Sequence, residues 1–364
     1  MKFTVSQSAL AKALSVVSKG MATNSTLPLL SGVNIRAERG VLEFRTTNLT
    51  ISIRHKIAAN VEEPGETVVS GKILANIVKT LPDAAVSFSL EGRSLTISCE
   101  KSTFKLNTLD PADFPGFPDF ALSESIELPC DELSRMVDRV YRVTSKDNTR
   151  PILSGILMTV EAGTIRLVAT DSYRLALCEA QVEAPGSFEM IVPGAAFHDV
   201  LTLPSDTGRI LIGKTDSQAV FVFGNTTYVA RKIEGNYPNY RQLLPSESTT
   251  RVNVNVGTLS SALKRVSVIS LSNPSIRFDI DAGAGTVRLT ATSPDQGEAT
   301  EVIPAEVEGR SMAIALNYHY VFDCVNVEAA DNDMTLELKE SMQPGIFRSH
   351  TDVEYLYLLM PVRM

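Results

Sequence analysis

The sequence has no apolar run as long as the ~18 residues of a membrane-spanning helix. Its first residues, Met1-Lys2-Phe3-Thr4-Val5, contain no signal-peptide hydrophobic stretch. Only four cysteines occur, they lie far apart, and none forms a C-x-x-C pair. These absences predict a cytoplasmic protein with reduced thiols, without a disulfide framework, a metal site, a cofactor or membrane contact.

A large excess of one charge is also lacking, because 34 Lys and Arg residues face 42 Asp and Glu residues, for a net charge of −8. This balance excludes a protein that coats nucleic acid over its whole surface, yet it permits a local basic face. Apolar residues make up 44% of the chain and charged residues 21%, which is typical of a packed globular protein.

Catalytic signatures are missing too. No H-E-x-x-H, G-x-S-x-G, P-loop or helix-opening G-x-G-x-x-G is present, and the four histidines are scattered. Asp171 lies near Arg174 at the end of a predicted strand, but no base or nucleophile accompanies them. An active site normally appears as a cluster of titratable groups, so the sequence indicates a protein without catalysis of its own.

The sequence repeats itself with a period close to 123 residues. Three strand-turn-strand segments end at Thr47, Thr170 and Thr292, which are spaced by 123 and 122 residues. A second marker, a β-rich triplet that leads into a helix, begins at Val68, Ile191 and Ile314 with equal spacing. Two markers with one period predict three homologous domains, which we place at residues 1–120, 126–246 and 248–364.

Each domain is predicted to contain two similar units, one after the other. Helix-like stretches begin near Ser6, Gly71, Cys130, Gly194, Gly257 and Leu316, at steps of about 60 residues. Alternating β runs lie between them, with a hairpin turn expected at Ala162-Gly163. The predicted fold class is therefore α+β, built from three tandem domains that are each a pair of helix-plus-four-strand units.

The helices carry a net positive charge in an otherwise acidic chain. Cations lie on single helix faces, for example Lys12 and Lys19, which are seven residues apart. A solvated helix face explains any one such pair, whereas four basic helices of six favour a surface that contacts phosphates without reading bases. The predicted DNA-facing cations are Lys12, Lys19, Lys72, Lys79, Arg139, Arg142, Lys146, Arg150, Lys264 and Arg265.

The C-terminal segment is apolar up to its last residue. Leu356 to Leu359 fit a final core strand, and Met360 to Met364 follow it and include Pro361. Exposed Met and Pro beside a sheet edge suit an adaptable peptide-binding surface.

These features meet in one family. Over its full length the chain resembles the beta sliding clamps of bacterial DNA polymerase III. The resemblance rests on Thr26-Leu27-Pro28-Leu29-Leu30, Pro111-Ala112-Asp113-Phe114-Pro115, Ala169-Thr170-Asp171-Ser172-Tyr173-Arg174-Leu175-Ala176, Tyr237-Pro238-Asn239-Tyr240-Arg241 and Met360-Pro361-Val362-Arg363-Met364. It implies a head-to-tail homodimeric ring around double-stranded DNA, with helices lining the hole and sheets outside. It also implies partners: the alpha subunit of DNA polymerase III, the clamp loader (its delta subunit and gamma/tau complex), and other polymerases and repair proteins that carry a linear clamp-binding motif.

The resemblance also implies sites, by position. Its partner-peptide cleft maps to Leu153, Thr170, Arg174, Leu175, Pro238, Leu243, Leu358, Met360, Pro361, Val362 and Arg363. Its dimer interface maps to Phe104, Leu106, Val268 and Ile269, with Lys101 and Lys105 facing Glu298 and Glu301. The sequence departs from relatives at Ser172 and Tyr173, where Gly and His are frequent, and at Gln242, where Arg is common.

Two other interpretations remain open at this point. One is an enzyme with an unmarked site that uses the apolar cleft as a substrate pocket. The other is a repeat-built scaffold without a nucleic-acid role. The missing catalytic cluster disfavours the first, and the basic helix faces disfavour the second.

Overall fold

The computed structural model describes residues 1–23, 25–122, 124–147, 149–183, 186–203, 207–245, 247–270, 273–351 and 353–363, with His350 as backbone only. Met364, the last residue of the predicted tail, lies outside these ranges. The helices are α1 Gln7–Ser18, α2 Gly71–Thr80, α3 Cys130–Tyr141, α4 Gly194–Leu201, α5 Val256–Val266 and α6 Tyr318–Val325.

The strands are mostly six to eight residues long, and every pairing described is antiparallel. In chain order they are β1 Lys2–Ser6, β2 Gly32–Glu38, β3 Val41–Thr47, β4 Ile51–Ala58, β5 Asn60–Glu63, β6 Gly65–Ser70, β7 Ala85–Glu91, β8 Ser94–Cys99, β9 Ser102–Asn107, β10 Glu124–Pro129, β11 Gly155–Glu161, β12 Thr164–Thr170, β13 Arg174–Gln181, β14 Phe188–Pro193, β15 Arg209–Lys214, β16 Gln218–Phe223, β17 Thr226–Arg231, β18 Thr250–Asn255, β19 Ser275–Asp281, β20 Thr286–Ser293, β21 Gly297–Pro304, β22 Glu306–Gly309, β23 Met312–Asn317, β24 Asp333–Leu338, β25 Gly345–His350 and β26 Glu354–Leu359.

The helix starts follow local sequence signals. Ser6 caps α1 by accepting a hydrogen bond from the backbone N–H of Ala9, and Asn255 and Asn317 cap α5 and α6 in the same way. All six predicted helices are present, with α5 and α6 beginning within two residues of the expected positions. The apolar faces predicted from the 3.6-residue period are buried, as Leu10 and Leu14 of α1 illustrate.

The chain divides into two compact units. Unit 1 comprises residues 1–131 and 195–232, and unit 2 comprises residues 132–194 and 233–364. Unit 1 contains a five-stranded sheet, β5-β1-β7-β8-β9, and an eight-stranded sheet, β10-β15-β16-β17-β4-β3-β2-β6. Helices α1 and α2 contact one another and pack on strands of this unit.

Unit 2 contains a nine-stranded sheet, β14-β11-β12-β13-β26-β25-β24-β18-β22, and a four-stranded sheet, β21-β20-β19-β23. Its helices α5 and α6 contact one another. The hairpin between β11 and β12 turns through Ala162 and Gly163, both with positive φ, as the sequence predicts.

Each large sheet joins two of the sequence repeats. In unit 1, β17 of the middle repeat pairs with β4 of the first, and in unit 2, β26 of the last repeat pairs with β13 of the middle one. The second pairing positions the candidate cleft, because it brings the C-terminal strand beside the segment that begins at Arg174.

Candidate functional site

The cleft is built on a three-residue loop, 171–173, between β12 and β13 of unit 2. Thr170 donates from Oγ1 to the carbonyl oxygen of Arg174 at 2.8 Å. The Asp171 carboxylate accepts from the backbone N–H of Tyr173 at 3.0 Å and of Arg174 at 3.1 Å. The hydroxyl of Thr170, one of the predicted cleft residues, thus closes the loop from inside.

Ser172 sits at the top of this loop with φ +80°. Such left-handed backbone favours glycine, so Ser172 holds a conformation that its Cβ atom makes less favourable. The Ser172 hydroxyl oxygen accepts a hydrogen bond from Arg150 Nη1 at 2.9 Å.

The residues after β26 are held along the same loop. The backbone N–H of Met360 donates to the carbonyl oxygen of Tyr173 at 3.0 Å, and that of Val362 donates to Ala315 of β23 at 2.9 Å. The tail therefore continues as ordered backbone past the strand. Pro361 and Val362 are half-buried, while Met360 and Arg363 are exposed.

An apolar cluster forms the floor beneath the loop and the tail. Leu175 and Leu358, opposite one another in the β13–β26 pair, are both buried in it. The full cluster is Leu157, Val168, Leu175, Leu177, Ile191, Tyr240, Ile346, Leu356 and Leu358, with Ile152, Ile233, Tyr237 and Leu244 packed against it.

Large apolar side chains remain accessible above this floor. Leu243, on the short 3-10 helix Tyr240–Leu243, is 52% exposed, Met360 is 43% exposed and Tyr173 is 62% exposed. Pro238 is exposed just before this helix, and Leu153 is buried on the 3-10 helix Pro151–Ser154. The accessible groups can take up apolar side chains of an incoming peptide, since burying each is worth ~1.5–3 kcal/mol.

Arg174, one of the cleft residues that the resemblance implies, does not lie at the protein surface. Its side chain is buried, and it donates from Nε to Asp171 at 2.9 Å and from Nη1 to Asp323 at 2.6 Å and Tyr357 Oη at 3.0 Å. Nη2 donates to the carbonyl oxygen of Arg142 at 2.7 Å. Because these bonds all run inside the fold, Arg174 positions the loop rather than contacting a peptide first.

Burial lowers the pKa of the Arg174 guanidinium, but Tyr357, Asp323 and Asp171 together raise it above its ordinary value. The ring of Tyr320 lies 4.2 Å from the guanidinium carbon, a cation–π contact. Sequence reasoning missed Tyr320, Asp323 and Tyr357 as supports of the cleft. Only the Asp171–Arg174 pair, three residues apart, left a local signal.

Nine of the ten predicted DNA-facing cations are exposed, and Arg139 is the exception. Arg139 is buried and donates from Nε to the equally buried Glu328 carboxylate at 2.9 Å. Nη2 donates to Thr351 at 3.2 Å. The prediction for Arg139 is therefore wrong, because the cation neutralises an internal carboxylate and cannot reach a phosphate.

Two of the exposed cations lie beyond the end of α3 rather than on it. The helix ends at Tyr141, so Arg142 and Lys146 follow it in irregular backbone. Four other cations pair with carboxylates: Lys19 with Asp199 at 3.1 Å, Arg142 with Asp323 at 3.8 Å, Arg150 with Asp147 at 2.9 Å, and Arg265 with Glu301. These exposed pairs leave the cations accessible to a competing phosphate, because surface ion pairs are weak.

The predicted interface residues lie on or near two sheet edges. Phe104 and Leu106 belong to β9, an edge strand whose single described neighbour is β8. The other edge strand is β21, whose single described neighbour is β20. Val268 and Ile269 lie in a 3-10 helix that contacts β20 and β21, and Val268 is exposed. An edge strand offers unpaired backbone groups to a second chain.

The described residues contain neither a cluster of metal-ligating side chains nor a helix of membrane-spanning character. No group of three or more His, Cys, Asp and Glu side chains in that part of the chain could hold a metal ion. Among the described helices, none is both long and apolar enough to cross a membrane.

Comparison with known proteins agrees with this geometry. Three family models match in order: the N-terminal domain of the DNA polymerase III beta subunit at residues 1–118, its central domain at 127–239 and its C-terminal domain at 241–363. The Bacillus subtilis beta sliding clamp is 29% identical over the whole of both chains. The beta sliding clamp homolog GriR of Streptomyces muensis is 31% identical over all of this chain and 99% of that protein.

Solved structures give the same result. The sliding clamp of Bacillus subtilis superposes with a TM-score of 0.95 at 28% identity, over 100% of this chain and 99% of that one. A Pseudomonas aeruginosa DnaN sliding clamp bound to griselimycin superposes with a TM-score of 0.94 at 27% identity, over the whole of both chains. With three matching domains and clamp neighbours over its full length, this chain belongs to the DNA polymerase III beta subunit family, the beta sliding clamps.

Proposed function

We propose that the chain forms a head-to-tail homodimeric ring that encircles double-stranded DNA and tethers the replicative polymerase and other DNA enzymes. Three domains, at residues 1–120, 126–246 and 248–364, would place helices toward the DNA and sheets outside. The observation that carries this proposal is the ordered match of all three family domains across the whole chain. The exposed cations on or beside the helices support it, since they suit phosphates.

Retention on DNA tests the ring. With a clamp loader and ATP present, the protein is loaded on nicked circular DNA and on the same DNA after linearisation. A closed ring stays on the circle through gel filtration and slides off the linear ends. Equal retention on both forms would contradict topological binding.

For the dimer, we propose that β9 of one subunit meets β21 of the other, because a head-to-tail contact joins two different surfaces. Phe104 and Leu106 would pack near Val268 and Ile269, and Lys101 and Lys105 would face Glu298. Glu301 already pairs with Arg265 of its own chain, so its contribution across the interface would be smaller than that of Glu298.

The substitution Phe104→Arg tests this placement by sedimentation. It puts a charge at an apolar contact, so we expect dissociation at concentrations where the unchanged protein is dimeric. Val41→Arg, an exposed apolar position on β3, serves as the matched control and should leave the dimer intact. An unchanged Phe104→Arg dimer would overturn the placement.

For the cleft, we propose that it binds the linear motif of the polymerase III alpha subunit, the clamp loader, other polymerases and repair proteins. Exposed Leu243, Met360 and Tyr173 would take up the apolar side chains over the buried floor. Met suits a site with several partners because its unbranched chain repacks around different anchors.

We also propose that the chain acts in the cytoplasm, without a cofactor or metal and without catalysis of its own. The rival hypothesis uses the cleft as a substrate pocket. Purified protein should leave nucleotides and DNA unchanged while it lengthens the products of the polymerase. Turnover of either substrate by the clamp alone, lost in a cleft variant, would favour the enzyme.

A further inference from the structure

A loop in unit 1 repeats the cleft loop of unit 2 almost bond for bond. Thr47 donates from Oγ1 to the carbonyl oxygen of Ile51 at 3.0 Å, as Thr170 does to Arg174 at 2.8 Å. The backbone N–H of Leu49 then donates to Thr47 Oγ1 at 3.0 Å. Both loops stand at the corresponding end of a sequence repeat, 123 residues apart.

The turn residues match as well. Asn48 Oδ1 accepts from the backbone N–H of Thr50 at 3.0 Å and of Ile51 at 2.8 Å, which is the pattern of Asp171. Leu49 has φ +72°, against +80° for its counterpart Ser172. A bulky residue in this conformation is strained, so the geometry is imposed by the surroundings and leaves the Leu49 side chain 64% exposed.

The strand beside the loop completes the correspondence. Ala230 of β17 lies opposite Ile51 of β4, as Leu359 lies opposite Arg174. The backbone N–H of Arg231 donates to the carbonyl oxygen of Thr50 at 2.9 Å, as that of Met360 does to Tyr173. Arg231 therefore occupies in unit 1 the place that the exposed Met360 occupies in the cleft.

A cavity of about 300 Å³ opens at this loop. It is lined by Thr47, Leu49, Thr50, Ser52, Pro115, Gly116, Pro118, Ser217, Gln218, Val229 and Arg231. Ser52 and Val229 stand at the positions of Leu175 and Leu358, so this floor is more polar and has smaller side chains. Arg231 is the single charged lining residue, it is exposed, and no carboxylate pairs with it in the described ranges.

We propose that this pocket is a second peptide-binding site that takes an acidic, aliphatic extended segment. An aliphatic side chain would lie against Leu49 and Val229, and a carboxylate would accept hydrogen bonds from Arg231. We infer an acidic peptide because Arg231 stands where the cleft has the apolar Met360, on a backbone that otherwise matches. The proposal rests on the proposed function in that the unit 2 cleft is the peptide site from which the pattern is taken.

Methyl NMR of the full-length dimer tests this site separately from the cleft. Leu49 and Val229 methyl groups report on the pocket, and those of Leu175 and Leu358 report on the cleft. The probes are the blocked peptide acetyl-Leu-Gly-Glu-amide, its neutral analogue acetyl-Leu-Gly-Gln-amide, and inorganic phosphate. The protein variants are Arg231→Gln and Arg231→Lys, which keep the backbone bond to Thr50.

We expect the acidic peptide to shift the Leu49 and Val229 signals and to bind about tenfold more weakly when the probe is neutral or Arg231→Gln is present. Arg231→Lys should retain most of the binding. Equal shifts with both peptides would overturn the charge assignment, and matching shifts with phosphate alone would reduce the site to an anion contact. Shifts confined to Leu175 and Leu358 would overturn the second site while leaving the cleft in place. Shifts at Leu49 and Val229 without any at the cleft would support the pocket independently of the proposed function.

Discussion

Arg174 shows how one buried side chain can hold together the loop of the proposed peptide cleft. Its guanidinium joins the loop carboxylate Asp171 to Asp323 on α6 and to the hydroxyl of Tyr357 on β26. The family resemblance assigned Arg174 to the cleft, but the sequence contains no sign of this internal role, because Asp323 and Tyr357 are more than 140 residues away. No local pattern can mark such partners.

Replacing Arg174 with Ala should lower the free energy of unfolding by about 2–3 kcal/mol, because two partly buried carboxylates lose their cation. Peptide affinity should fall as well, since the loop loses its support. Urea unfolding measures the first effect and calorimetry the second. Arg363→Ala, at the exposed end of the tail, is the control and should leave stability within ~0.5 kcal/mol. Unchanged stability of Arg174→Ala would contradict the network.

The burial of the cysteines can be tested by their reactivity at mildly alkaline pH. Burial raises the pKa of the Cys178 thiol to about 12, and Cys324 and Cys99 are buried too, whereas Cys130 is partly exposed. Iodoacetamide at pH 8 should therefore modify Cys130 in the native protein and the other three only after unfolding, because the thiolate is the reactive form. Peptide mass spectrometry locates the label.

The linked effect on stability has a definite sign. A thiol whose folded pKa is raised gives up its proton more easily in the unfolded chain, so its contribution is complete below the ordinary thiol pKa of ~8.5 and declines as the pH rises toward 12. Native-state labelling of Cys178 as fast as Cys130 would contradict its burial.

At the scale of helices and strands, local sequence patterns predicted most of the elements that the structure contains. Helix-like stretches at steps of about 60 residues located all six helices, and the repeat markers located the strand pairs that precede α2, α4 and α6. The helical period could not separate Arg139 from Arg142, since residues three apart fall on one helix face, and the carboxylate that pairs with Arg139 lies 189 residues away. Nor could it show that α3 stops at Tyr141, where a 3.0 Å bond from Val143 to Val140 tightens the last turn.

The tail after β26 borders the proposed peptide cleft and can be removed without deleting a strand or helix. Deleting residues 360–364 should abolish binding of a peptide from the polymerase III alpha subunit, because the deletion removes both the exposed Met360 side chain and the backbone bond to Tyr173. The dimer should persist, since its proposed contacts lie elsewhere. Met360→Ala keeps the backbone bonds and should weaken binding about tenfold, which is one apolar anchor of ~1.5 kcal/mol. Calorimetry and sedimentation separate the two effects, and intact affinity after the deletion would refute the assignment of the cleft.

At the scale of the whole molecule, an acidic protein that holds DNA must separate its charges in space. Affinity without the loader should be weak and should fall steeply with salt, because phosphates are contacted and bases are not. The double substitution Lys72→Gln with Lys79→Gln should reduce the slope of log affinity against log salt by about one for each phosphate that no longer meets a cation. The control is Lys56→Gln with Lys339→Gln, which changes the net charge by the same amount. Lys56 lies on β4 and Lys339 follows β24, away from the helices, so the slope should stay unchanged. A clear preference for one DNA sequence would contradict the mechanism.

Because two strand pairings cross the repeat boundaries, the unit that repeats in the sequence is not the unit that folds. The first repeat, residues 1–118, contains β4 and its neighbour β3. The neighbour on the other side of β4 is β17, which belongs to the second repeat. Cut out alone, this segment would carry a bare strand edge beside β4, and we expect it to self-associate rather than remain monomeric. Light scattering of the segment beside the intact chain measures this. A chain with a single repeat would leave this strand edge open to a second molecule, so each repeat depends for its solubility on the copy beside it.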